Sequence, residues 1–296
     1  MLPGLSPPII GLVAGAVEAT ITASGGPQDI SNFFSPSDWS GTVKKRLIIP
    51  AGIIAGGYLD EGPGRGGLLE IVVNGEIQGS RGAPNSGAGG HALYLRTPGV
   101  TLSGSGAIRG GGGGGGKGGQ GGPGYYYSSE GPYWGDGTYM FRNGTFGSSI
   151  YWGGLLTTSA PAGASSYVYS GYTYYRGTFV RSLSGSAYDY YISRTNNTAT
   201  YTSGGAGGNG GYGQGYGGGN TAGSAGAAGG ANAGAGGTGG TGGLWGVAGS
   251  PGNTGGAGNN GGGLAGATGG AAGLAIYGSA NLAANLFTGT INGALG

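Results

Sequence analysis

The sequence predicts a mostly β and irregular protein, in which a small N-terminal β-rich domain precedes a bundle of extended glycine-rich helices. Three observations support this prediction. Short apolar segments punctuated by Gly, Pro and Asn fill residues 1–109, and Gly-Gly-X triplets dominate much of the remainder. An insert at residues 125–203 contains fifteen of the twenty tyrosines, so the bundle is expected to hold long aromatic loops in water.

The first 109 residues carry the ordinary signals of short strands. Each such segment is rich in aliphatic side chains and ends at Gly, Pro or Asn, which interrupt strands. The predicted strands are residues 46–49, 68–73, 76–78, 91–96 and 100–102. Asn74-Gly75 predicts a tight turn between the second and third of them. An apolar segment at residues 274–295 is a candidate final strand.

The N-terminal segment is more apolar than the core of a small β-domain requires. Its prominent side chains are Leu5, Ile9, Phe33, Phe34 and Trp39. Two interpretations are open, a core strand with a loop or a docking surface for another protein. The stretch is broken by Pro and Gly and lacks a preceding basic region, so it predicts neither a signal peptide nor a transmembrane helix.

Glycine triplets begin at residue 110 and resume from 204 to about 275, and Gly accounts for 84 of the 296 residues. A period of three is that of the extended polyproline-II-type helix, which makes no internal hydrogen bonds. Its N–H and C=O groups must therefore bond to neighbouring helices or to water. Collagen is disfavoured, because Pro251 is an isolated proline in the Gly-X-Y stretch that begins at Gly246 and the register slips near residues 231–236.

Charge is concentrated in the first two thirds of the chain. Residues 195–296 carry no charged side chain, and the net charge is +2. Such a balance is too weak to argue for a polyanionic partner, so no nucleic acid is expected. The charge-free part also has no charged side chain that could take part in catalysis.

The insert at residues 125–203 has the composition of a binding loop. Tyr supplies rigid, amphipathic contact area at low entropic cost, and Arg and Trp commonly accompany it in binding sites. A small β-rich subdomain that buries these rings is the alternative, and both descriptions can hold together. The candidate binding residues here are Tyr126, Tyr133, Trp134, Tyr139, Trp152, Tyr172, Tyr174, Arg176 and Tyr190.

The motifs of catalysis and metal binding are incomplete. Residues 111–117 almost match a phosphate-binding loop, but Gly118 stands where Ser or Thr must hold the metal. His91 is the single histidine and falls in a strand-like segment, which favours a structural imidazole. There is no cysteine, and Glu130 with Asp136 is a weak carboxylate pair. We therefore predict no enzyme activity, no cofactor and no metal.

The order of these segments resembles a known family. Leu93-Tyr94-Leu95, Val100-Thr101-Leu102 and Ala107-Ile108-Arg109 lead into a run of glycines, after which Gly-Gly-X blocks alternate with variable aromatic segments. This pattern is similar to that of the distal long-tail-fibre adhesins of T-even-like bacteriophages, and it covers most of the chain. One departure is the length of the 125–203 insert, which exceeds the modest variable segments expected.

The resemblance implies a fold and a role. Residues 1–109 would form a β-helix-like domain that attaches to the trimeric tail-fibre tip protein through Leu5, Ile9, Phe33, Phe34 and Trp39. Residues 110–296 would form a sandwich of polyglycine-II helices. Loops at its far end would bind an outer-membrane protein or lipopolysaccharide without inserting into the membrane. The aromatic insert would make these contacts, together with the loops around Tyr212, Tyr216 and Trp245. One copy would sit at the distal tip of each virion fibre, after synthesis in the host cytoplasm.

Other functions fit parts of the sequence. An ice-binding protein would need rows of Thr or small residues, and Thr238 and Thr241 have the required spacing. A disordered, self-assembling Tyr/Gly protein would account for Gly211-Tyr212-Gly213. A polysaccharide depolymerase would need a carboxylate pair in an aromatic groove, for which Glu130 and Asp136 are the candidates.

Overall fold

The computed structural model describes residues 11–13, 15–133, 149–152, 155–158, 166–169, 171–182 and 188–296. The chain divides into two compact units. Unit 1 comprises Met1–Pro123 together with Ser203–Gly296, and unit 2 comprises Gly124–Thr202. The described residues are mostly β, with one short α-helix, α1 (Pro36–Ser40), and two 3-10 helices, Ile30–Phe33 and Ser279–Asn281. None of these helices has the length and apolar character needed to cross a bilayer.

Short strands make up the regular structure of both units. Unit 1 begins with β1 (Gly11–Val13), β2 (Ala16–Thr20), β3 (Gln28–Asp29), β4 (Lys44–Ile49), β5 (Ile54–Gly57), β6 (Leu59–Asp60), β7 (Leu69–Val73), β8 (Glu76–Gly79), β9 (Leu93–Tyr94), β10 (Val100–Gly104) and β11 (Ala107–Arg109). Unit 2 contains β12 (Gly124–Tyr126), β13 (Ser129–Tyr133), β14 (Ser149–Trp152), β15 (Leu155–Thr158), β16 (Ser166–Tyr169), β17 (Tyr172–Ser182), β18 (Tyr188–Asn196) and β19 (Thr200–Thr202). Unit 1 resumes with β20 (Ile276–Tyr277), β21 (Leu282–Phe287) and β22 (Thr290–Asn292).

The strands of unit 1 form a coil with three parallel sheets. The first sheet is β2-β4-β7-β10-β21, extended by the antiparallel β1; the second is β5-β8-β11-β22; the third is β3-β6-β9-β20. Successive turns of the chain therefore add one strand to each sheet in order. Alternate side chains point inward, so that Leu47, Ile71 and Leu102 stack in register and are fully buried. This stacking forms the apolar core of the coil.

The predicted strands correspond to β4, β7, β8, β9 and β10, but the connection between β7 and β8 was misjudged. Asn74-Gly75 is a bend, as predicted, yet β7 and β8 lie in different parallel sheets rather than in a hairpin. The reason is that both edges of β7 pair with β4 and β10, and both edges of β8 pair with β5 and β11, so neither edge is left for a hairpin. The predicted strand at residues 91–96 is reduced to β9. The candidate final strand at 274–295 contains three strands, each of which closes one side of the coil.

Between β11 and β20, unit 1 has no assigned helix or strand, but it is built from extended segments joined side to side by backbone hydrogen bonds. We call this region the glycine block. Six segments traverse it, namely residues 110–123, 203–215, 220–230, 233–244, 247–258 and 261–275. The bonds recur at every third residue. The N–H groups of Gly115, Gly118 and Gly121 donate to the carbonyls of Gly211, Gly208 and Gly205. Those of Gly113, Gly116, Gly119 and Gly122 donate to Val247, Ser250, Asn253 and Gly256.

Unit 2 is antiparallel. β13, β18, β17 and β16 form a four-stranded sheet in that order, and β12 with β19 and β14 with β15 form two separate two-stranded sheets. Tyr174 opposes Arg194 between β17 and β18, and Tyr167 opposes Tyr174 between β16 and β17. Tyr174 is only 3% exposed.

Candidate functional site

The glycine block has two ends with different surroundings. At the sheet end the block meets the coil, where the N–H of Gly110 donates to Asn292 and the N–H of Tyr216 donates to Gly79. At the free end the N–H of Asn260 donates to Pro123, and that of Gly230 donates to Ser203. The chain leaves unit 1 at Pro123 and returns at Ser203. The free end therefore consists of these two residues and the turns at 230–233 and 258–261.

The turns of the free end are small and polar. The N–H of Asn259 in one turn donates to the carbonyl of Asn232 in the other, at 3.0 Å. Asn232 has a φ of 58°, a left-handed conformation that Asn tolerates better than most residues. Sequence reasoning did not single out these asparagines. Two four-residue interruptions of the triplet pattern, Gly-Ala-Asn-Ala and Gly-Asn-Asn-Gly, each lie between two triplet runs and could have indicated these turns.

The three aromatic residues predicted in the shorter loops lie toward the sheet end instead. The ring of Tyr216 occupies the position that a Cβ on Gly56 would need, and the guanidinium carbon of Arg81 lies 4.2 Å from the ring centre of Tyr212. Trp245 lies next to Gly246, whose N–H donates to Gly110. This placement follows from the alternation of the segments, since the turns near 216 and 245 both return the chain at the sheet end. Their contact with a receptor stays a prediction.

The candidates in unit 2 fall into four groups. Tyr126 and Tyr172 are accessible, and the guanidinium carbon of Arg194 lies 4.0 Å from the ring centre of Tyr172. Tyr174 is buried. Four further candidates lie on strands: Tyr133 on β13, Trp152 on β14, Arg176 on β17 and Tyr190 on β18. Trp134 and Tyr139 lie outside the described residues.

Sequence reasoning passed over a cluster of accessible tyrosines on β12, β19 and the residue after β12. The ring of Tyr125 lies 5.6 Å from that of Tyr127 and 6.2 Å from that of Tyr201. Tyr201 is 71% exposed and Tyr127 is 48% exposed. The antiparallel register of β12 and β19 places Tyr125 and Tyr201 opposite each other. This register could have been read from the sequence only if the pairing partner had been known.

The candidate attachment residues that are described lie in or against the core of the coil. Phe34 and Trp39 are 7% and 5% exposed, and their rings stack with centroids 5.7 Å apart. The indole N–H of Trp39 donates to the carbonyl of Pro63 at 2.8 Å. Phe33 packs partly buried against the same core. Leu5 and Ile9 lie outside the described residues. Attachment through these five residues stays a prediction.

The third sheet carries an aromatic ladder on its outer face. The rings of Tyr58, Tyr94, Tyr277 and His91 contact one another with centroids 5.3–5.8 Å apart. His91 Nδ1 accepts a hydrogen bond from the N–H of Leu274 at 2.8 Å. Burial lowers the pKa of the His91 imidazole, because the charged form loses hydration. His91 thus holds the point where the chain returns from the glycine block to β20.

Charged groups in the coil are engaged in holding its corners. Arg96 forms a bidentate pair with Asp60. Burial alone would raise the pKa of the Asp60 carboxyl, but hydrogen bonds from Arg96 and from the N–H of Gly62 hold it below its usual value. The ammonium of Lys45 is buried and donates to the carbonyls of Gly41, Val43 and Gly66. Its pKa is lowered by burial and by Arg65. These groups are therefore structural.

Comparison with protein families identifies the chain. A family model described as phage tail fibre adhesin Gp38 matches residues 16–185, which is more than half of the sequence and runs from β2 into unit 2. A search of curated proteins finds no match. A search of solved structures also finds none. The chain belongs to the phage tail fibre adhesin Gp38 family, whose members are non-enzymatic proteins of the virion tail fibre that bind a receptor on the host.

Proposed function

We propose that this protein binds an outer-membrane protein or lipopolysaccharide on the host surface through the Tyr-, Trp- and Arg-rich side chains of residues 125–203. The observation that carries the proposal is the point of insertion. A compact, tyrosine-rich unit interrupts the glycine block at Pro123 and Ser203, at the end of the block away from the coil. Family membership supplies the adhesin role.

The chemistry of the accessible rings supports this assignment. Tyr125, Tyr127 and Tyr201 offer flat apolar area and phenolic hydroxyls within a few ångströms of each other. Such rings lose little conformational entropy on binding, and they pair with both hydroxylated sugars and protein loops. Arg194 over the Tyr172 ring adds a fixed positive charge.

We also propose that the glycine block is a sandwich of polyglycine-II helices. The support is the three-residue period of its lateral hydrogen bonds and the lack of room for side chains. A Cβ on Gly118 or Gly119 would overlap the carbonyl oxygen of Gly237 or Leu264. Neighbours in sequence run antiparallel, whereas segment 110–123 runs parallel to segment 247–258. Such a scaffold is rigid, and rigidity lowers the entropic cost of binding.

Residues 1–109 are proposed to form the attachment domain, a β-helix-like coil that docks one copy of the protein onto the trimeric tail-fibre tip protein. Residues 110–296 would then form the glycine-rich domain, with the insert as its variable part. The return of β20–β22 to the coil adds a C-terminal contribution to the attachment domain. The protein would thus occupy the distal tip of the fibre.

The test is adsorption of the purified protein to a panel of intact Gram-negative cells. The wild type should bind a susceptible strain, and replacement of residues 125–203 by a short Gly-Ser linker should abolish binding while the coil stays folded. Tyr201→Ala and Tyr127→Ala should each weaken binding by roughly tenfold, as expected for exposed aromatic anchors. Tyr58→Ala and Tyr277→Ala are matched controls on the coil. Equal binding by the linker variant and the wild type would refute the proposal.

A further inference from the structure

The glycine block has a groove on one side, where a supporting hairpin ends part-way along it. Residues 80–90 leave β8, run along the block and return to β9. Past the tip of this hairpin a cleft of about 440 Å³ opens. We call it the side groove and define it by the following residues: Lys117, Gly118, Gly119, Gln120, Gly204, Ala206, Gly207, Leu264, Ala265 and Ala267.

Along its length the hairpin forms hydrogen bonds with backbone groups of three neighbouring segments, residues 110–123, 203–215 and 261–275. Gly111 and Gly114 donate from the floor to the carbonyls of Gly90 and Gly87. On one wall, Gly213 donates to the carbonyl of Gly82, and Gly210 donates to the side-chain oxygen of Asn85. On the other wall, the carbonyl of Ala271 accepts from Gly89.

The same backbone groups continue past the hairpin tip without acceptors. The bonds recur every third residue, so Lys117 and Gln120 follow Gly111 and Gly114, and Gly207 and Gly204 follow Gly213 and Gly210. Within the part of the chain that the structure describes, nothing accepts a hydrogen bond from these four N–H groups. Unpaired backbone donors bind water or a ligand. The side groove therefore presents two rows of donors, each with a spacing of about 9 Å, three residues of an extended helix.

The residues that face this side of the block are glycines under the hairpin and larger residues beyond its tip. Where the hairpin covers the block, the inward positions are Gly111, Gly114, Gly270 and Gly273, and a Cβ at any of them would overlap a hairpin carbonyl. Past the tip the equivalent positions are Lys117, Gln120, Ala267 and Leu264. Their side chains bar a further peptide backbone from approaching as closely as the hairpin does. The groove is thus closed to an added glycine-type segment but open to a ligand that reaches between side chains.

Charge narrows the class of ligand. Lys117 is the one charged residue in the glycine-rich stretches 110–123 and 204–275, and no carboxylate is present there to neutralise it. Gln120 adds an amide that both donates and accepts. Leu264, which is 63% exposed, supplies an apolar wall. Backbone carbonyls such as that of Gly118 lie beside the donors.

We infer that the side groove binds a saccharide bearing an anionic substituent, at a site separate from the aromatic surface of unit 2. Sugar hydroxyls use donors and acceptors in alternation, their C–H faces pack on aliphatic walls, and the Lys117 ammonium pairs with a phosphate or carboxylate as a point charge. A volume near 440 Å³ is within the range of small-ligand sites. An extended peptide is disfavoured by the side chains of Lys117 and Gln120.

The experiment uses the whole protein labelled with ¹⁵N-lysine, which gives three backbone amide signals because the chain contains three lysines, Lys44, Lys45 and Lys117. Lys117→Gln identifies the third signal by its loss. Glucose 6-phosphate and glucuronate are the ligands titrated, with glucose, inorganic phosphate and a short acidic peptide as comparisons. The Lys117 signal should move in a saturable way with an anionic sugar, while Lys44 and Lys45 stay in place. Titrating both anionic sugars shows whether the groove requires a phosphate or a carboxylate on the sugar.

Two variants at exposed leucines test the location. Leu264→Glu places a negative charge in the groove and should weaken binding on the order of tenfold, comparable to the loss of one charge-assisted hydrogen bond. Leu244→Glu is the matched control, an exposed leucine after a glycine pair at the sheet end. The inference is overturned if no sugar moves the Lys117 signal, if inorganic phosphate moves it as much as glucose 6-phosphate, if the acidic peptide binds more tightly than either sugar, or if both glutamate variants behave alike.

Discussion

The Arg65 guanidinium and the Glu61 carboxylate lie 2.7 Å apart inside the coil, and neither side chain is exposed to solvent. Arg65 also donates to the carbonyls of Gly67, Thr97 and Pro98, and Glu61 accepts from the N–H groups of Arg96 and Thr97. The pair therefore joins two successive turns of the coil at one corner. A buried pair of this kind is costly to break, because the remaining charge stays buried without a partner.

Arg65→Ala is expected to destabilise the coil by roughly 3–5 kcal/mol. Glu18→Ala, which removes a partner of the more exposed Arg46, should cost about 1 kcal/mol or less. Hydrogen exchange of the β4 and β7 amides is a suitable measurement, since it reports on the coil without requiring both units to unfold together. Equal exchange rates in the two variants would show that the buried pair contributes no more than the exposed one.

Gly119→Ala should destabilise the glycine block by roughly 1–3 kcal/mol, because the new Cβ would overlap the carbonyl oxygen of Leu264. Gly262→Ala is the matched control, since a Cβ there meets nothing within 4 Å. It should be neutral or stabilise by a few tenths to about 1 kcal/mol through the unfolded state. Thermal unfolding of the two variants should therefore shift in opposite directions or differ by several degrees. The same melting temperature for both would contradict close packing at Gly119.

Stability should fall as the pH drops below neutral, through His91. Its folded-state pKa lies below the ordinary value of 6.5, so the unfolded chain binds a proton first as pH decreases. The stabilisation is complete above 6.5 and is lost progressively as pH falls from there to the folded-state pKa. Protonation of Nδ1 would also remove the acceptor for the N–H of Leu274. His91→Gln should flatten the dependence of the unfolding free energy on pH below 6.5, measured by chemical denaturation at several pH values. An unchanged slope would show that His91 is not the source of this pH dependence.

Asn260 should deamidate before Asn74, although both precede glycine. The reaction begins when the glycine nitrogen attacks the asparagine side-chain carbon, with release of ammonia, and water then opens the cyclic imide. Gly75 N–H is held by the carbonyl of Ile49 at 2.9 Å, whereas Gly261 lies in an exposed turn with a 3.4 Å bond to Gly258. Peptide mapping after storage in mildly alkaline buffer tests the order. Deamidation would place a negative charge on a free end that has none.

The glycine pattern predicted more of the molecule than any other signal. Triplets such as Gly118-Gly119-Gln120 indicated extended, laterally bonded segments, because two of every three positions could approach a neighbour closely. Strands at 46–49 and 68–73 followed from aliphatic runs with clear punctuation. These features depend on local sequence, so a single chain suffices to read them.

Features that depend on the stacking of distant turns could not be read in this way. Asn74-Gly75 has the same local chemistry in a hairpin and in a corner between parallel sheets, and the pairing of β7 with the distant strands β4 and β10 decides between them. The burial of Phe34 and Trp39 depends on contacts such as that with Pro63. The end of the block at which Tyr216 and Trp245 lie depends on how many times the chain has reversed. Exposure of Tyr201 depends on its partner strand.

The route of the chain through unit 1 couples the coil to the glycine block. β10 and β11 precede the block, but the strands that cover their open edges, β21 and β22, follow it. During synthesis the edges of β10 and β11 stay unpaired until all six segments of the block and then β21 and β22 have been translated. An error in any glycine segment therefore leaves an unfinished sheet edge far from the error. If the coil attaches the protein to the fibre as proposed, a chain with a misfolded glycine block would present an incomplete attachment domain.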